Sequence, residues 1–137
     1  MQQPSRILIV DDEPVIADTL SVIFRGAGYE TLAAYNGVLG LLAAQSFSPN
    51  LVLTDVVMPE MDGVSMAMEI CSKMPEVRVL LFSGQAGTVN LLQKAEGVGL
   101  HFELLHKPVH PKEIIRKVRQ LLAGEDGSCQ NSASSIQ

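Results

Sequence analysis

The sequence predicts an α/β fold in which five parallel strands form one doubly wound sheet covered by helices on both faces. Three observations predict it. Short runs of apolar and β-branched residues, at 6–10, 51–53 and 77–82, are continuous rather than alternating, as in strands buried on both faces. The segments between such runs carry apolar residues at helical spacing. Strands alternating with helices, with no internal repeat, imply parallel pairing through crossover helices. Finally, several apolar runs stop at a chemically active side chain followed closely by Gly or Pro, and the carboxyl ends of strands are where open α/β sheets handle ligands.

Residues 6–10 form the first strand and run into Asp11, Asp12, Glu13 and Pro14. Val15, Ile16, Leu20, Ile23 and Phe24 then recur at helical spacing until Gly26 and Gly28 stop them. Residues 30–35 read as a second strand. Asn36 suits the N-cap of a short Leu- and Ala-rich helix over 38–45, which ends before Pro49. Residues 51–55 make the third strand, and Pro59 and Gly63 force a loop after Asp55. A Met-rich amphipathic helix over 64–74 is closed by Pro75, and residues 77–82 form a fourth strand ending at Ser83 and Gly84. Between Gln85 and Gly99 a weaker helix centres on Leu91, Leu92 and Ala95. A fifth strand near 101–105 leads into His106, Lys107 and Pro108. Pro111 sits where a first helical turn tolerates it, and Ile114, Ile115, Val118, Leu121 and Leu122 form one apolar stripe ending at Gly124. The domain is expected to span 5–123. Residues 124–137 are mostly polar and cannot offset their chain entropy by burial, so they are expected to form a disordered tail.

Composition narrows the function. The 137 residues are 47% hydrophobic and 18% charged, the size and balance of one domain with a real core. Ten basic residues against fifteen acidic give a net charge of -5, which offers no basic excess for a phosphate backbone and argues against direct nucleic-acid binding. No apolar run reaches membrane-spanning length and no signal-peptide core follows the N-terminus, so a cytoplasmic location with no membrane partner is expected. Cys71 and Cys129 lie far apart without paired spacing. Free thiols are the expectation, rather than a zinc site or a disulfide.

The chemistry gathers on one rim. The first strand ends at Asp11 and Asp12, the third at Asp55, the fourth at Ser83 and the fifth at Lys107. Three crowded carboxylates would raise one another's pKa unless a hard cation shared them, and magnesium, which favours oxygen ligands and keeps several waters, is the expected cofactor. One carboxylate is then left to act as a nucleophile toward a phosphoryl group, a transfer that needs positioning and charge neutralisation above all. Lys107 supplies a compact positive charge for phosphoryl oxygens, and Ser83 a hydroxyl donor.

At these residues the chain resembles a response-regulator receiver domain of bacterial two-component signalling. Asp11-Asp12, Asp55 with Met58-Pro59 and Asp62-Gly63, Ser83-Gly84 and Lys107-Pro108 carry the resemblance, which covers about residues 5–123. It implies a flavodoxin-like sheet of order 2-1-3-4-5. It also implies Asp55 as phosphoacceptor, Asp11, Asp12, Asp55 and the Val57 backbone carbonyl as magnesium ligands, and Lys107 and Ser83 as the residues that read the phosphoryl group. A histidine kinase or histidine phosphotransfer protein is the implied donor, a further protein the implied target, and the chain a stand-alone module rather than a turnover enzyme. The Lys107-Pro108 bond is expected to be cis.

Two positions depart from the family pattern. Leu104 stands where a switching Tyr or Phe is common, with Phe102 on the same face of the strand by alternation, and Val57 stands where a polar residue often meets attacking water. Val57 also argues against a phosphohydrolase of the haloacid-dehalogenase type, which needs a second acid at that position. A receiver-like adaptor that works without phosphorylation should lack one of the acids or the lysine, and none is missing here. Taken singly each residue has an ordinary reading: Asp11 to Glu13 as a helix N-terminus, Ser83 as a turn former, Lys107 as a surface charge. Their joint placement on one rim carries the functional reading. His101, His106 and His110 lack ligand-pair spacing and read as rim histidines, while Met58, Met61, Met66, Met68 and Met74 read as adaptable core.

Overall fold

Five strands, each followed by a helix, build the domain in the computed structural model, which describes residues 3–84, 88–124 and Cys129. In chain order they are β1 (Arg6–Val10), α1 (Pro14–Gly26), β2 (Glu30–Ala34), α2 (Gly37–Phe47), β3 (Leu51–Asp55), α3 (Gly63–Lys73), β4 (Arg78–Ser83), α4 (Thr88–Glu96), β5 (Glu103–His106) and α5 (Pro111–Leu122). All neighbouring pairs are parallel, in the order β2-β1-β3-β4-β5. Side-chain alternation along the central strands splits the core in two. Leu8, Val10, Val52, Val79 and Leu81 point to the face packed by α2, α3 and α4, whereas Ile7, Ile9, Leu51, Leu53, Leu80 and Phe82 meet α1 and α5. Burial of each such side chain contributes about 1.5–3 kcal/mol. This explains why the strands read as continuous apolar runs.

Local signals place most boundaries. Pro14 opens α1, where its missing N–H costs nothing, and Asn36 caps α2 by accepting from Leu39 N at 2.8 Å. Asp62 caps α3 by accepting from Ser65 N at 2.7 Å. His110 caps α5 through Nδ1, which accepts from Lys112 N at 3.0 Å, a structural role that its residue type does not announce. Gly28 and Gly124, both at φ 101°, end α1 and α5 in a conformation that a side chain disfavours. The fourth and fifth strands begin one and two residues later than expected, at Arg78 and Glu103. The second strand stops at Ala34, leaving Tyr35 exposed with its hydroxyl donating to Asp18 Oδ1 at 2.6 Å. Helix α2 runs two residues beyond Gln45, to Phe47. The Lys107-Pro108 bond is cis, as the resemblance implied.

One expectation is overturned. Cys71 and Cys129 are not free thiols but a disulfide, with Cα atoms 5.7 Å apart across 58 residues of sequence. The spacing carried no sign of it because the pair is made by the fold: Cys71 lies near the end of α3, and Cys129 is brought against Val77, the last residue before β4, where its N–H donates to the Val77 carbonyl at 3.4 Å. Cys129, which falls within the expected tail, is buried. For 125–128 and 130–137 the disordered-tail reading lies outside the described residues.

Candidate functional site

The rim residues converge as their positions at strand ends require. Asp11, the residue after β1, is fully buried, and Asp55, the last of β3, is nearly so. Oxygens of Asp11, Asp12 and Asp55 lie within 4.8 Å of one another. Lys107, one residue beyond β5, reaches over the Phe82 ring, 4.5 Å from its centroid, and sets its ammonium 3.6 Å from Asp11 Oδ2 and 3.7 Å from Asp55 Oδ1. Its backbone N–H donates to the Ser83 carbonyl at 3.0 Å, which ties the ends of β4 and β5 together at the site. Asp55 Oδ1 also accepts from Val56 N at 2.9 Å, and Asp11 Oδ1 from Glu13 N at 2.9 Å. Ser83 is buried with its hydroxyl 2.8 Å from that of Thr88. Val57 follows in the loop after β3, half-buried against the α2–α4 face of the core.

Two residues, Gly63 and Thr88, shape the site in ways that their place in the sequence does not show. Gly63 opens α3 directly against β3: its N–H donates to the Val56 carbonyl at 2.7 Å, and a Cβ there would collide with the Asp55 carbonyl oxygen. Glycine is what lets the helix approach so closely. Thr88, the first residue of α4, shares a hydrogen bond with the Ser83 hydroxyl. No local pattern marks Thr88, because its role depends on α4 folding back over β4.

Burial and charge oppose each other here. Burial, the largest cause, pushes the Asp55 carboxyl from its ordinary 3.8 up to about 6; Lys107 and the Val56 N–H pull down, while Asp11 and Asp12 push up. Asp11 is likewise raised, chiefly by burial, against the Glu13 N–H and Lys107. Crowding thus acts in the direction the sequence suggested but ranks behind desolvation. Asp11 Oδ2 is buried without a hydrogen-bond donor, so the cluster holds an acceptor that a hard cation would satisfy. The donor set is all oxygen and fits magnesium. Among the described residues the three histidines join no metal-ligating group; His101 lies 3.9 Å from Glu96 at the surface.

A buried carboxylate at a strand end, flanked by two acids and a lysine within salt-bridge reach, makes an acidic site able to take a hard cation at the carboxyl edge of a doubly wound sheet. The response regulator receiver domain matches residues 7–119, and the chain belongs to that family, the receivers of two-component systems. It is 31% identical over 117 residues to the DNA-binding response regulator MtrA of Mycolicibacterium smegmatis, covering 85% of this chain and 50% of that protein. The chain therefore spans about half the length of the curated relatives it matches. Among solved structures it resembles a CheY-like receiver domain protein of Methanospirillum hungatei, with TM-score 0.80, 28% identity, and 88% and 94% of the two chains covered. It also resembles the Thermotoga maritima response regulator TrrA in complex with Mg(2+)-BeF, with TM-score 0.74, 31% identity, and 85% and 98% covered. No helix among the described residues is long and apolar enough to cross a membrane.

Proposed function

We propose that this chain accepts a phosphoryl group on Asp55 from a histidine kinase or histidine phosphotransfer protein and signals through protein contacts. The observation that carries the reading is Asp55 itself: a buried carboxylate with Lys107 at 3.7 Å and two further acids gathered beside it. Family membership supports the donor class. In the transfer, an Asp55 oxygen attacks phosphorus, an O–P bond forms, and the N–P bond to the donor imidazole breaks with the electron pair returning to nitrogen. Asp55 Oδ1 is held by the Val56 N–H, so the attacking lone pair is assigned to Oδ2. Asp11, Asp12, Asp55 and the Val57 carbonyl would hold magnesium, which when bound supplies positive charge for the oxygens of the phosphoryl group. Lys107 then pairs with the new phosphoryl oxygens, and the Ser83 hydroxyl donates to one of them.

Beyond its own phosphorylation and dephosphorylation the domain, about residues 5–123, is assigned no turnover of another substrate. Val57 is apolar and half-buried, so the second acid of a haloacid-dehalogenase site has no counterpart. With a net charge of -5 the segment is assigned no direct nucleic-acid contact, and we place it in the cytoplasm. Incubation with magnesium and a small phosphodonor, followed by intact mass measurement, should add one phosphoryl group. Asp55→Asn should abolish the gain, because an amide is a far poorer nucleophile. Equal labelling of parent and variant would show that the acceptor is another residue.

A further inference from the structure

We propose that Cys71 and Cys129 form a reversible thiol–disulfide site that clasps Cys129 onto the end of α3. The Cα separation of 5.7 Å lies in the middle of the range a disulfide spans, so the backbone holds both residues ready for the bond. Cys129 joins the core cluster on the α2–α4 face, whereas α5, which precedes it, packs on the other. Apart from the bond, Cys129 is held among the described residues by its backbone N–H donating to the Val77 carbonyl at 3.4 Å and by burial of its small side chain. Docking and bond therefore stand or fall together. Cys71 is 6% and Cys129 8% exposed, so a small thiol reaches the sulfurs only when Cys129 lifts from the core. In a reducing cytoplasm a bond of this kind is expected to cycle rather than persist.

The chemistry is exchange with a low-molecular-weight disulfide. One cysteine thiolate attacks a sulfur of the small disulfide, forming a mixed disulfide and expelling a thiolate. The second cysteine attacks the protein sulfur, closing Cys71–Cys129 and expelling another. Two cysteine protons end on two small thiols, and reduction runs the same steps backward. The clasp sits eight residues along α3 from Gly63, about 12 Å of helix, so it is remote from Asp55. Its state can be read without any phosphorylation, and its failure is distinct from failure of the receiver reading.

The test equilibrates the full chain in glutathione and glutathione disulfide at stepped ratios, traps thiols by alkylation, and combines intact mass with amide exchange. Across the series the alkyl adducts should rise from none to two. In the reduced form, exchange at Cys129 and in the turn through Val77 should accelerate about tenfold or more. Cys129→Ser should show the fast exchange in both buffers and leave Cys71 open to alkylation. A bond that survives excess glutathione, thiols or glutathione adducts that persist in excess glutathione disulfide, or reduction without faster exchange would each overturn the proposal.

Discussion

The hydroxyls of Ser83 and Thr88 share a hydrogen bond of 2.8 Å between two buried side chains, tying the end of β4 to the first residue of α4. A phosphoryl group on Asp55 that takes the Ser83 hydroxyl as a donor requires Thr88 to be the donor in this bond, so recruitment of Ser83 is coupled to α4. Leu104, on the next strand along, and Phe102, one residue before that strand begins, are half-buried against the same face of the core.

That relationship gives a route from chemistry to surface. Phosphorylation should change amide exchange in residues 88–99 and 102–105, and Ser83→Ala should still label but lose much of the change. The predicted region extends to 85–87, which lie outside the described residues. Identical exchange patterns in parent and variant, or a difference confined to α1 and α2, would send the signal through another face.

Metal binding should depend on Asp12. Its carboxylate completes the cluster beside the buried, donorless Asp11 Oδ2, so Asp12→Ala should weaken magnesium at least about tenfold, the lower end of what losing even an outer partner of a metal ligand costs. Chelating magnesium from the parent should slow phosphodonor labelling in the same sense. Calorimetric titration giving equal affinity for both proteins would remove Asp12 from the ligand set.

Stability without metal should depend on pH in an unusual direction. The Asp55 pKa is 3.8 ordinarily and about 6 in the fold, so between these values the native state binds the extra proton. The contribution is fully present below about 3.8 and lost as pH rises through about 6, a fall of roughly 3 kcal/mol from this group, with Asp11 acting in the same sense. Urea unfolding in chelator from pH 4 to 7 checks it against Asp55→Asn, whose curve should be flatter. Parallel curves would mean that Asp55 pays no desolvation cost. Magnesium should restore the lost stability near pH 7, since it binds the ionised form.

By itself the sequence determined the alternation of strands and helices, the parallel sheet, and which acids, serine and lysine occupy the rim. These are local facts: strand and helix periods are written in a few neighbouring residues, and a side chain at the end of a buried strand in such a sheet has one edge to go to. Strand order was readable only through resemblance, since periodicity does not say which strand pairs with which. Tertiary structure alone decided the rest. Thr88 as the partner of Ser83, and Gly63 as the close approach that seats α3 on Asp55, depend on how a helix returns over its strand. Desolvation outranks charge crowding at Asp55 because burial depth is a property of the packed whole. The Cys71–Cys129 bond joins positions 58 apart, a distance along the chain that carries no information about distance in space until the core has formed.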